Sequence, residues 1–405
     1  MTTQTKTTWQ KVKLGDVAEI ESGGTPSSSK PEYWDNGDIC WATLPDLKNK
    51  YIFDTQRKIT ALGLKNSSAK LLPVNSIIFS SRATIGEISI TKVEVSTNQG
   101  SKNFICDPQK IEYEFLYYLL KSKVDEINGL ATGATYKEIN KTVFSSVEIN
   151  IPNLLTQKQI ADILSAYDDL IENNTKRIKI LEQIAQAIYK EWFVYFRFPG
   201  HEKAKSRSER SSATGIKMID SKTEFGKIPE EWEVIKVGQL LAKVQRKPKV
   251  KRGEYIKEGE FLVVDQGQNF IGGYTADAEA VYRENLPLIV FGDHTRILKF
   301  IDFPFACGAD GTQLLSSNSK RMPMTLFFYA LQDVDLLNFH YARHLKFLKE
   351  KTVILPDQQT ASTFDEYVRP LRNLIKTLLE ETANLCQARD LLLPKLISGE
   401  IETKS

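Results

Sequence analysis

The sequence lacks the features that mark membrane, secreted and zinc-binding proteins. Its 405 residues contain no run of about 18 apolar residues, which is the length that a helix needs to span a bilayer. The first ten residues, MTTQTKTTWQ, are polar and contain no apolar signal region. The four cysteines stand far apart with no CxxC pair, which argues against a disulfide framework or a zinc knuckle. Together these absences predict a cytoplasmic protein.

Familiar catalytic motifs are also missing. The sequence contains no GxxxxGK[ST] nucleotide loop, no GxGxxG after a strand, no HExxH and no GxSxG. His340 and His344 stand four residues apart and could share a helix face. No third ligand stands near them, so we predict no metal site. No acidic pair is marked out by a motif either, so these motifs give no positive sign of catalytic chemistry.

The net charge of +3 neither requires nor excludes nucleic acid, because basic residues can gather on one face of a protein. One basic run stands out, KVQRKPKVKRGEYIK from Lys243 to Lys257. It is either a solvated loop or an arm that contacts phosphates, and the sequence leaves both interpretations open.

The chain is an imperfect tandem repeat. It begins twice, with WQKVKLG at Trp9 and WEVIKVG at Trp232. Later landmarks recur in the same order: SIIFSSRATIG and PLIVFGDHTRI, then EFLYYLLKS and LFFYALQD, then a proline before a long helical segment. Two repeats of this length predict a domain duplication rather than a solenoid. Between them, a segment rich in Ser, Lys and Gly predicts a linker.

Each repeat ends in a predicted long helix, because apolar residues recur there in steps of three and four. Besides the heptad a positions, the predicted seam includes Ile163, Leu170 and Ile184 in the first helix and Tyr367, Leu374 and Ala388 in the second. The a positions are Ile160, Tyr167, Asn174, Leu181 and Ile188, and, each 204 residues later, Phe364, Leu371, Leu378, Leu385 and Leu392. Matched heptads in one chain predict that the two helices pack as an antiparallel coiled coil.

Five residues should modify this helix pair. Asn174 either fixes the register from within the seam or lies on a solvated edge, and both interpretations stay open. Pro370 should kink the second helix because proline removes one hydrogen bond, and Pro394 should disturb its end. In the first helix, Pro199 and Gly200 should end the helical segment.

These patterns predict an α+β fold with two tandem mixed α/β domains and two long antiparallel helices that separate them with approximate two-fold symmetry. The expected divisions are 1–152 for the first domain, 153–198 for the first spacer helix, 199–228 for the linker, 229–356 for the second domain and 357–405 for the second spacer helix. Both domains are rich in loops with Gly, Ser, Thr, Asn, Gln, Arg and Lys. Such side chains read base edges and phosphates, although ordinary turns use several of them too.

In this order, the sequence resembles the specificity subunit of type I restriction–modification enzymes. The stretches that carry the resemblance are GGTPSSSKPEYWDNGDICWATLPDL, SSRATIGEISI, NQGSKNF, IPNLLTQKQIADIL, WFVYFRFPGHE, GKIPEEWEV, LPDQQTASTFDEY and LLLPKLISGEI. The resemblance implies that each domain is a target-recognition domain for one half of a split DNA sequence, and that the helices set the half-site spacing. It also implies two methylation subunits that carry S-adenosylmethionine, and a motor and nuclease subunit that uses ATP and Mg. This chain would supply the specificity, bind no cofactor itself and have no catalytic activity of its own.

Within this interpretation, we predict DNA-contacting residues on the polar loops of both domains. In the first domain they are Thr25, Ser27, Ser28, Arg82, Thr84, Asn98, Gln99, Thr135, Tyr136 and Lys137; in the second they are Gln266, Gln268, Asn269, His294, Thr295, Arg296, Thr312, Tyr341, Arg343 and His344. Two alternatives stay open, a self-sufficient methyltransferase or nuclease and a helical scaffold that binds proteins without sequence-specific DNA recognition.

Overall fold

The structure is a computed structural model that describes residues 8–133, 137–200, 217–309, 311–336 and 343–403. It divides into two compact units: unit 1 is drawn from Met1–Asn174 and Glu381–Ser405, and unit 2 from Thr175–Glu380. Two long helices, Leu154–Tyr189 and Gln358–Ser398, each contribute to both units. Both units mix helices and sheets, which confirms the predicted α+β class. The five-part division of the chain stays a prediction.

Unit 1 is built around a five-stranded sheet in the order β2-β9-β6-β7-β4, beside sheets β5-β3-β8 and β1-β10. Its strands are β1 Gln10–Lys13, β2 Ala18–Ser22, β3 Ile39–Ala42, β4 Tyr51–Ile52, β5 Arg57–Ile59, β6 Ile77–Ser80, β7 Ile88–Thr91, β8 Val95–Thr97, β9 Ser101–Cys106 and β10 Glu148–Ile151. Its short helices are α1 Leu14–Val17, α2 Ala61–Lys65, α3 Tyr113–Ser122, α4 Val124–Gly129 and α5 Lys141–Ser146, with 3-10 turns at Pro31–Tyr33 and Leu44–Asp46.

Unit 2 contains the sheets β15-β14-β19-β16, β18-β17-β20, β13-β21 and β11-β12. Its strands are β11 Met218–Asp220, β12 Lys227–Pro229, β13 Glu233–Lys236, β14 Phe261–Val264, β15 Gly273–Thr275, β16 Val281–Tyr282, β17 Leu288–Gly292, β18 Leu298–Ile301, β19 Phe305–Cys307, β20 Thr312–Leu315 and β21 Thr352–Leu355. Its short helices are α6 Val237–Leu240, α7 Met324–Gln332 and α8 His344–Glu350, with 3-10 turns at Arg252–Glu254 and Ala278–Ala280.

The two similar starts of the chain fold in the same way. β1 pairs antiparallel with β10, and β13 pairs antiparallel with β21. Each start then turns into a short helix at a glycine that is packed closely against a second short helix. A Cβ on Gly15 would lie 3.0 Å from the Cβ of Ser145, and one on Gly238 would lie 3.1 Å from the carbonyl oxygen of Lys349. The shared Trp-to-Gly stretch is therefore scaffold that closes each unit.

The long helices run antiparallel in each unit. In unit 1, Asp168 pairs with Arg389, and Asn174 lies 3.4 Å from Glu381, so rising numbers on one helix meet falling numbers on the other. Asn174 is only 5% exposed, so the solvated-edge interpretation is wrong. The predicted a positions are all buried or half-buried: Ile160, Tyr167, Asn174, Leu181, Ile188, Phe364, Leu371, Leu378, Leu385 and Leu392.

Part of the predicted seam is wrong. Ile163, Leu170 and Ile184 on the first helix, and Tyr367 and Leu374 on the second, are between 38% and 57% exposed. The buried apolar residues are instead those that directly follow four of these exposed positions. They are Leu164, Ala185, Val368 and Ile375. The reason is that this face packs against both the opposite helix and the core of its unit, whereas a two-helix coiled coil buries a and d.

The second helix continues past both prolines, so Pro394 does not disturb its end as expected, whereas the kink at Pro370 stays a prediction. The helix runs unbroken from Gln358 to Ser398. The carbonyls that lose a hydrogen bond to Pro370 and Pro394 belong to Glu366 and Asp390, which are both exposed to solvent.

The first helix and the linker also differ from expectation. The α-helix ends at Tyr189 and continues as a π-type turn over Lys190–Val194, well before Pro199, and this turn buries Trp192 and Phe193 in the core of unit 2. The predicted linker is partly structured, because β11 pairs with β12 and Ile228 joins the same core.

Candidate nucleic-acid interface

The first polar loop of unit 1 is held in place by two glycines. The N–H groups of Gly23 and Gly24 donate to the carbonyls of Ser101 and Thr97, at 3.3 and 2.8 Å. A Cβ on Gly23 would lie 1.8 Å from the carbonyl oxygen of Asn98, so only glycine fits there. This close approach lets the Thr25 hydroxyl donate a hydrogen bond to the side-chain oxygen of Gln99, which lies on the loop between β8 and β9.

The loop between β6 and β7 joins the same edge of unit 1. Ala83 adopts a left-handed backbone with φ of 63°, and its N–H donates to the carbonyl of Lys137 at 3.2 Å. Next to it, Arg82 lies 3.9 Å from a carboxylate oxygen of Glu138. The structure thus brings Arg82, Lys137, Asn98 and Gln99 to neighbouring loops.

Glu138 is shared by two cations. Its other carboxylate oxygen lies 3.2 Å from the ammonium of Lys102, whose side chain is only 5% exposed on β9. Lys102 also donates to the Ser81 hydroxyl at 3.3 Å. Because one carboxylate faces a buried lysine and the half-exposed Arg82, the cluster carries excess positive charge. Such charge at a loop edge favours an anionic ligand.

The predicted contact residues of unit 1 lie mostly on its surface. Thr25, Ser27, Ser28, Arg82, Thr84, Gln99 and Lys137 are exposed, and Asn98 is half-buried. Asn98 accepts hydrogen bonds from Gly100 and Ser101 through its side-chain oxygen, so it also shapes its own turn. Thr135 and Tyr136 lie outside the described residues. The base-contacting role of all these residues stays a prediction.

A second set of loops meets in unit 2, around Gln266. The backbone N–H of His294 donates to the Gln266 side-chain oxygen at 3.1 Å, and the Thr295 hydroxyl donates to the Gln266 carbonyl at 2.8 Å. Gly311 packs closely against the His294 ring, because a Cβ at this position would lie 2.5 Å from the ring. Three segments that are distant in sequence therefore present side chains at one place.

Lys299 supports one of these loops from below. Its ammonium donates to the carbonyls of Asp265, Asn269 and Phe270, at 2.8, 2.6 and 3.3 Å, while its side chain is 4% exposed. Burial lowers the pKa of Lys299 to about 8, although the nearby carboxylate of Asp265 opposes this shift. The three hydrogen bonds from Lys299 fix the turn that carries Gln266, Gln268 and Asn269.

Two predicted contact residues of unit 2 are buried. Thr312 is 0% exposed, and its hydroxyl donates to the carbonyl of Ala309. His344 is 5% exposed, with its ring nitrogen Nδ1 2.7 Å from the carbonyl oxygen of Asp293. In this conformation both side chains are shielded from solvent, and each lies against a backbone carbonyl of a neighbouring loop. They support the loops.

The remaining predicted residues of unit 2 face solvent. Gln268, Asn269, His294, Thr295, Arg296 and Arg343 are exposed, Gln266 is half-buried, and Tyr341 lies outside the described residues. Arg296 has a left-handed backbone with φ of 62°, and its guanidinium donates to the carbonyl of Leu336 at 3.1 Å. This hydrogen bond uses only part of the donor set of the guanidinium, and a planar fork of this kind suits guanine or phosphate.

The basic run from Lys243 to Lys257 is attached to this site rather than loose. Val250 pairs with the backbone of Cys307 and Ala309, and the ammonium of Lys249 donates to the carbonyl of Thr312. Most of its basic side chains remain exposed. Its role as a phosphate-contacting arm stays a prediction.

Sequence reasoning missed the charged residues that hold these loops, the buried Lys102, Lys299 and Asp293 and the half-buried Glu138. The signal was present for the lysines. Each stands inside a strand whose neighbours are apolar or buried, SKNFIC for β9 and LKFI for β18. A lysine in such a strand must find acceptors within the protein, because an unpaired buried charge is strongly destabilising.

Across the ranges that the structure describes, no cluster of three or more His, Cys, Asp or Glu residues could hold a metal ion. Nor does any helix in those ranges have the length and apolar character to cross a membrane.

Known proteins of similar sequence are specificity subunits of type I restriction enzymes. Residues 6–183 match the family described as Type I restriction modification DNA specificity domain. The type I restriction enzyme MjaIX specificity subunit of Methanocaldococcus jannaschii is 30% identical over 423 residues, covering 98% of this chain and 94% of that protein. The EcoR124I/EcoR124II specificity subunit of Escherichia coli is 30% identical over 196 residues, covering 47% of this chain and 48% of that protein.

This chain belongs to the type I restriction enzyme specificity subunits. The membership confirms the resemblance found in the sequence, and specificity subunits are the non-catalytic, DNA-recognising component of their systems. A crystal structure of an S subunit from M. genitalium shares the fold, with a TM-score of 0.59 at 18% identity and 98% of each chain covered.

The buried lysine of this specificity subunit gives a pH prediction. The pKa of Lys299 is about 8 in the folded state and near the ordinary 10.5 in the unfolded chain. Between these values the unfolded chain binds more protons, so the free energy of unfolding should rise with pH by about 2 kcal/mol. Urea titrations from pH 7 to 10 should show this gain in wild type and in the exposed Lys320→Met control. It should be missing in Lys299→Met, and equal pH slopes in all three proteins would count against a buried, shifted lysine.

Proposed function

We propose that unit 1 and unit 2 are the two target-recognition domains, each reading one half of a bipartite DNA sequence. The observation that carries this proposal is that each unit gathers exposed basic and amide side chains on loops held by glycines and a buried lysine. In unit 1 these include Arg82 and Gln99, and in unit 2 Gln268 and Arg296. Arginine pairs with guanine and glutamine with adenine in the major groove.

The two half-sites should differ in sequence. The scaffold stretches at Trp9 and Trp232 are alike, whereas the loops that follow them share few residues. Because loops can change without disturbing the sheets beneath them, one fold can read different bases in its two copies. The long helices would set the spacing between the halves, and readers on one face of B-DNA are separated by about one helical turn, roughly 34 Å.

Two methylation subunits are the partners that the long helices suit. Unit 1 exposes Ile163 and Leu170 on the first helix, and unit 2 exposes Tyr367 and Leu374 on the second. Tyr367 and Leu374 stand 204 residues after Ile163 and Leu170, so both units offer apolar side chains at the same repeat positions. Exposed apolar rows on a helix mark protein-binding surfaces, and two equivalent rows suit two copies of one partner.

The cofactors belong to the partners in this proposal. S-adenosylmethionine would be carried by the methylation subunits, ATP and Mg by the motor and nuclease subunit, and none by this chain. The complex would act on DNA in the cytoplasm. The alternative of a protein-binding scaffold without DNA recognition gains no support from a family match whose description names DNA specificity.

The partner surface predicts separable losses of binding. Leu170→Asp and Leu374→Asp each place a charge in one apolar row, so each should weaken binding of one methylation subunit by roughly 30-fold or more. Native mass spectrometry with the purified methylation subunit should then show one bound copy instead of two. Val74→Asp, at an apolar residue 47% exposed outside the helices, is the matched control and should keep both copies. Two copies bound at unchanged affinity by both helix variants would remove this surface from the proposal.

The recognition role predicts a change confined to one half-site. Arg296→Ala removes a guanidinium from the loops of unit 2, so it should relax or weaken recognition by about 1–3 kcal/mol there and leave the other half-site intact. The control is Arg283→Ala, because Arg283 is also exposed and also donates to one backbone carbonyl, that of Ala278 at 3.0 Å. Methylation specificity and DNA affinity of the assembled complex are the measurements. Unchanged values for Arg296→Ala would exclude it as a reading residue.

A further inference from the structure

An ion pair joins the two long helices inside unit 1. A carboxylate oxygen of Asp168, on the first helix, lies 2.6 Å from a guanidinium nitrogen of Arg389, on the second. Their side chains are 9% and 15% exposed. The hydroxyl of Tyr118, on α3, donates to the other oxygen of Asp168 at 2.6 Å. The pair is therefore buried and its acid has a fixed partner on each side.

Unit 2 contains a corresponding ion pair. Glu182, on the first helix, pairs with Arg372, on the second, and the Arg372 side chain is only 4% exposed. The hydroxyl of Tyr329, on α7, lies 3.1 Å from Glu182 and donates to it. The guanidinium of Arg372 also lies 4.4 Å from the centre of the Phe300 ring.

The two pairs share one sign pattern. In both units the acid lies on the first helix and the arginine on the second. A tyrosine hydroxyl, from α3 in unit 1 and from α7 in unit 2, donates to the acid. The duplication alone does not account for this pattern. Arg372 stands 204 residues after Asp168, so one repeat position carries opposite charges in the two helices.

This pattern distinguishes pairing of unlike helices from pairing of like helices. If two first helices packed in the same antiparallel register, Asp168 of one copy would take the position of Arg372 and face Glu182 of the other. If two second helices did so, Arg372 would face Arg389, whose guanidinium also pairs with Asp390 of its own helix at 2.7 Å. Each arrangement would place two like-charged contacts in a seam that is largely shielded from solvent, where repulsion is poorly screened.

We propose that Asp168, Glu182, Arg372 and Arg389 are pairing determinants that let the first long helix pack only against a second long helix. They would reject a first helix from another copy of this chain. Ion pairs on a fully exposed surface discriminate weakly, whereas these are partly to largely buried, so mismatched charges would be costly. The consequence for DNA, that two copies of one recognition domain are never joined, rests on the proposed function, but the pairing rule itself does not.

One charge swap removes the discrimination while keeping both ion pairs. Glu182→Arg with Arg372→Glu reverses the pair of unit 2 and leaves Asp168 with Arg389. The first helix then carries one acid and one arginine, as does the second, so like helices become complementary. Reversing the unit 1 pair as well, with Asp168→Arg and Arg389→Asp, is the matched control. It restores one sign to each helix, and with it the discrimination.

The measurement starts from the folded full chain with a protease site placed between residues 201 and 216. The chain is cut, warmed to allow fragments to exchange, cooled and weighed by native mass spectrometry. In wild type and in the fourfold swap, complexes of like fragments should stay below about one in a hundred. In the twofold swap they should rise to a tenth or more, towards roughly the half expected for random pairing.

Each other outcome overturns the proposal. Like-fragment complexes in cut wild type would show that the charges do not discriminate, and their absence in a folded twofold swap would assign pairing to the apolar seam. If a swap does not fold, as judged by circular dichroism, Asp168→Asn with Glu182→Gln tests the same point, because it removes the repulsion between first helices together with the two ion pairs to Arg389 and Arg372. First-helix fragments of that variant should pair with each other. If they do not, the proposal is overturned as well. No DNA is used, so the result is independent of whether the units read half-sites.

Discussion

Antiparallel packing of the two long helices is the interaction on which the rest of the structure depends. In unit 1, Leu164 of the first helix and Leu396 and Ile397 of the second lie in one buried core with the sheet. In unit 2, Ala185 and Phe364 do the same. Each core therefore contains residues from both long helices, and neither core is complete until both helices are in place. The buried ion pairs add charge complementarity to this apolar contact.

The recognition loops depend on a second constraint, the close approach of backbone segments beneath them. Glycine at position 23 and buried lysines at positions 102 and 299 hold turns whose tips carry the exposed side chains. The support is chemically separate from the surface that would meet DNA. A loop tip can then change its reading residues while the support below it stays the same, and specificity can vary without loss of the fold.

Much of this architecture could be predicted from the sequence, because its signals are periodic or repeated. The duplicated start, the aromatic helices and the long helices all follow from such signals. The buried side of each helix could not be predicted, because apolar residues occupy both the packed and the exposed face. Ile163 and Leu164 are equally apolar, and only the tertiary contact decides which is buried. Likewise, Pro370 looks disruptive in sequence but is tolerated where the carbonyl it leaves unpaired faces water. For Thr312 and His344, polarity in a glycine-rich loop predicts contact with a ligand, whereas the structure uses them to bond the loop's own backbone.

We propose that this specificity subunit directs its system to a bipartite DNA sequence through two different recognition units. The most direct test maps methylated bases across the genome of cells with and without the chain. The account predicts one motif with two unlike specific halves and a fixed number of unspecified bases between them, present only when the chain is present. A continuous motif, or a methylation pattern that does not change when the chain is removed, would contradict it.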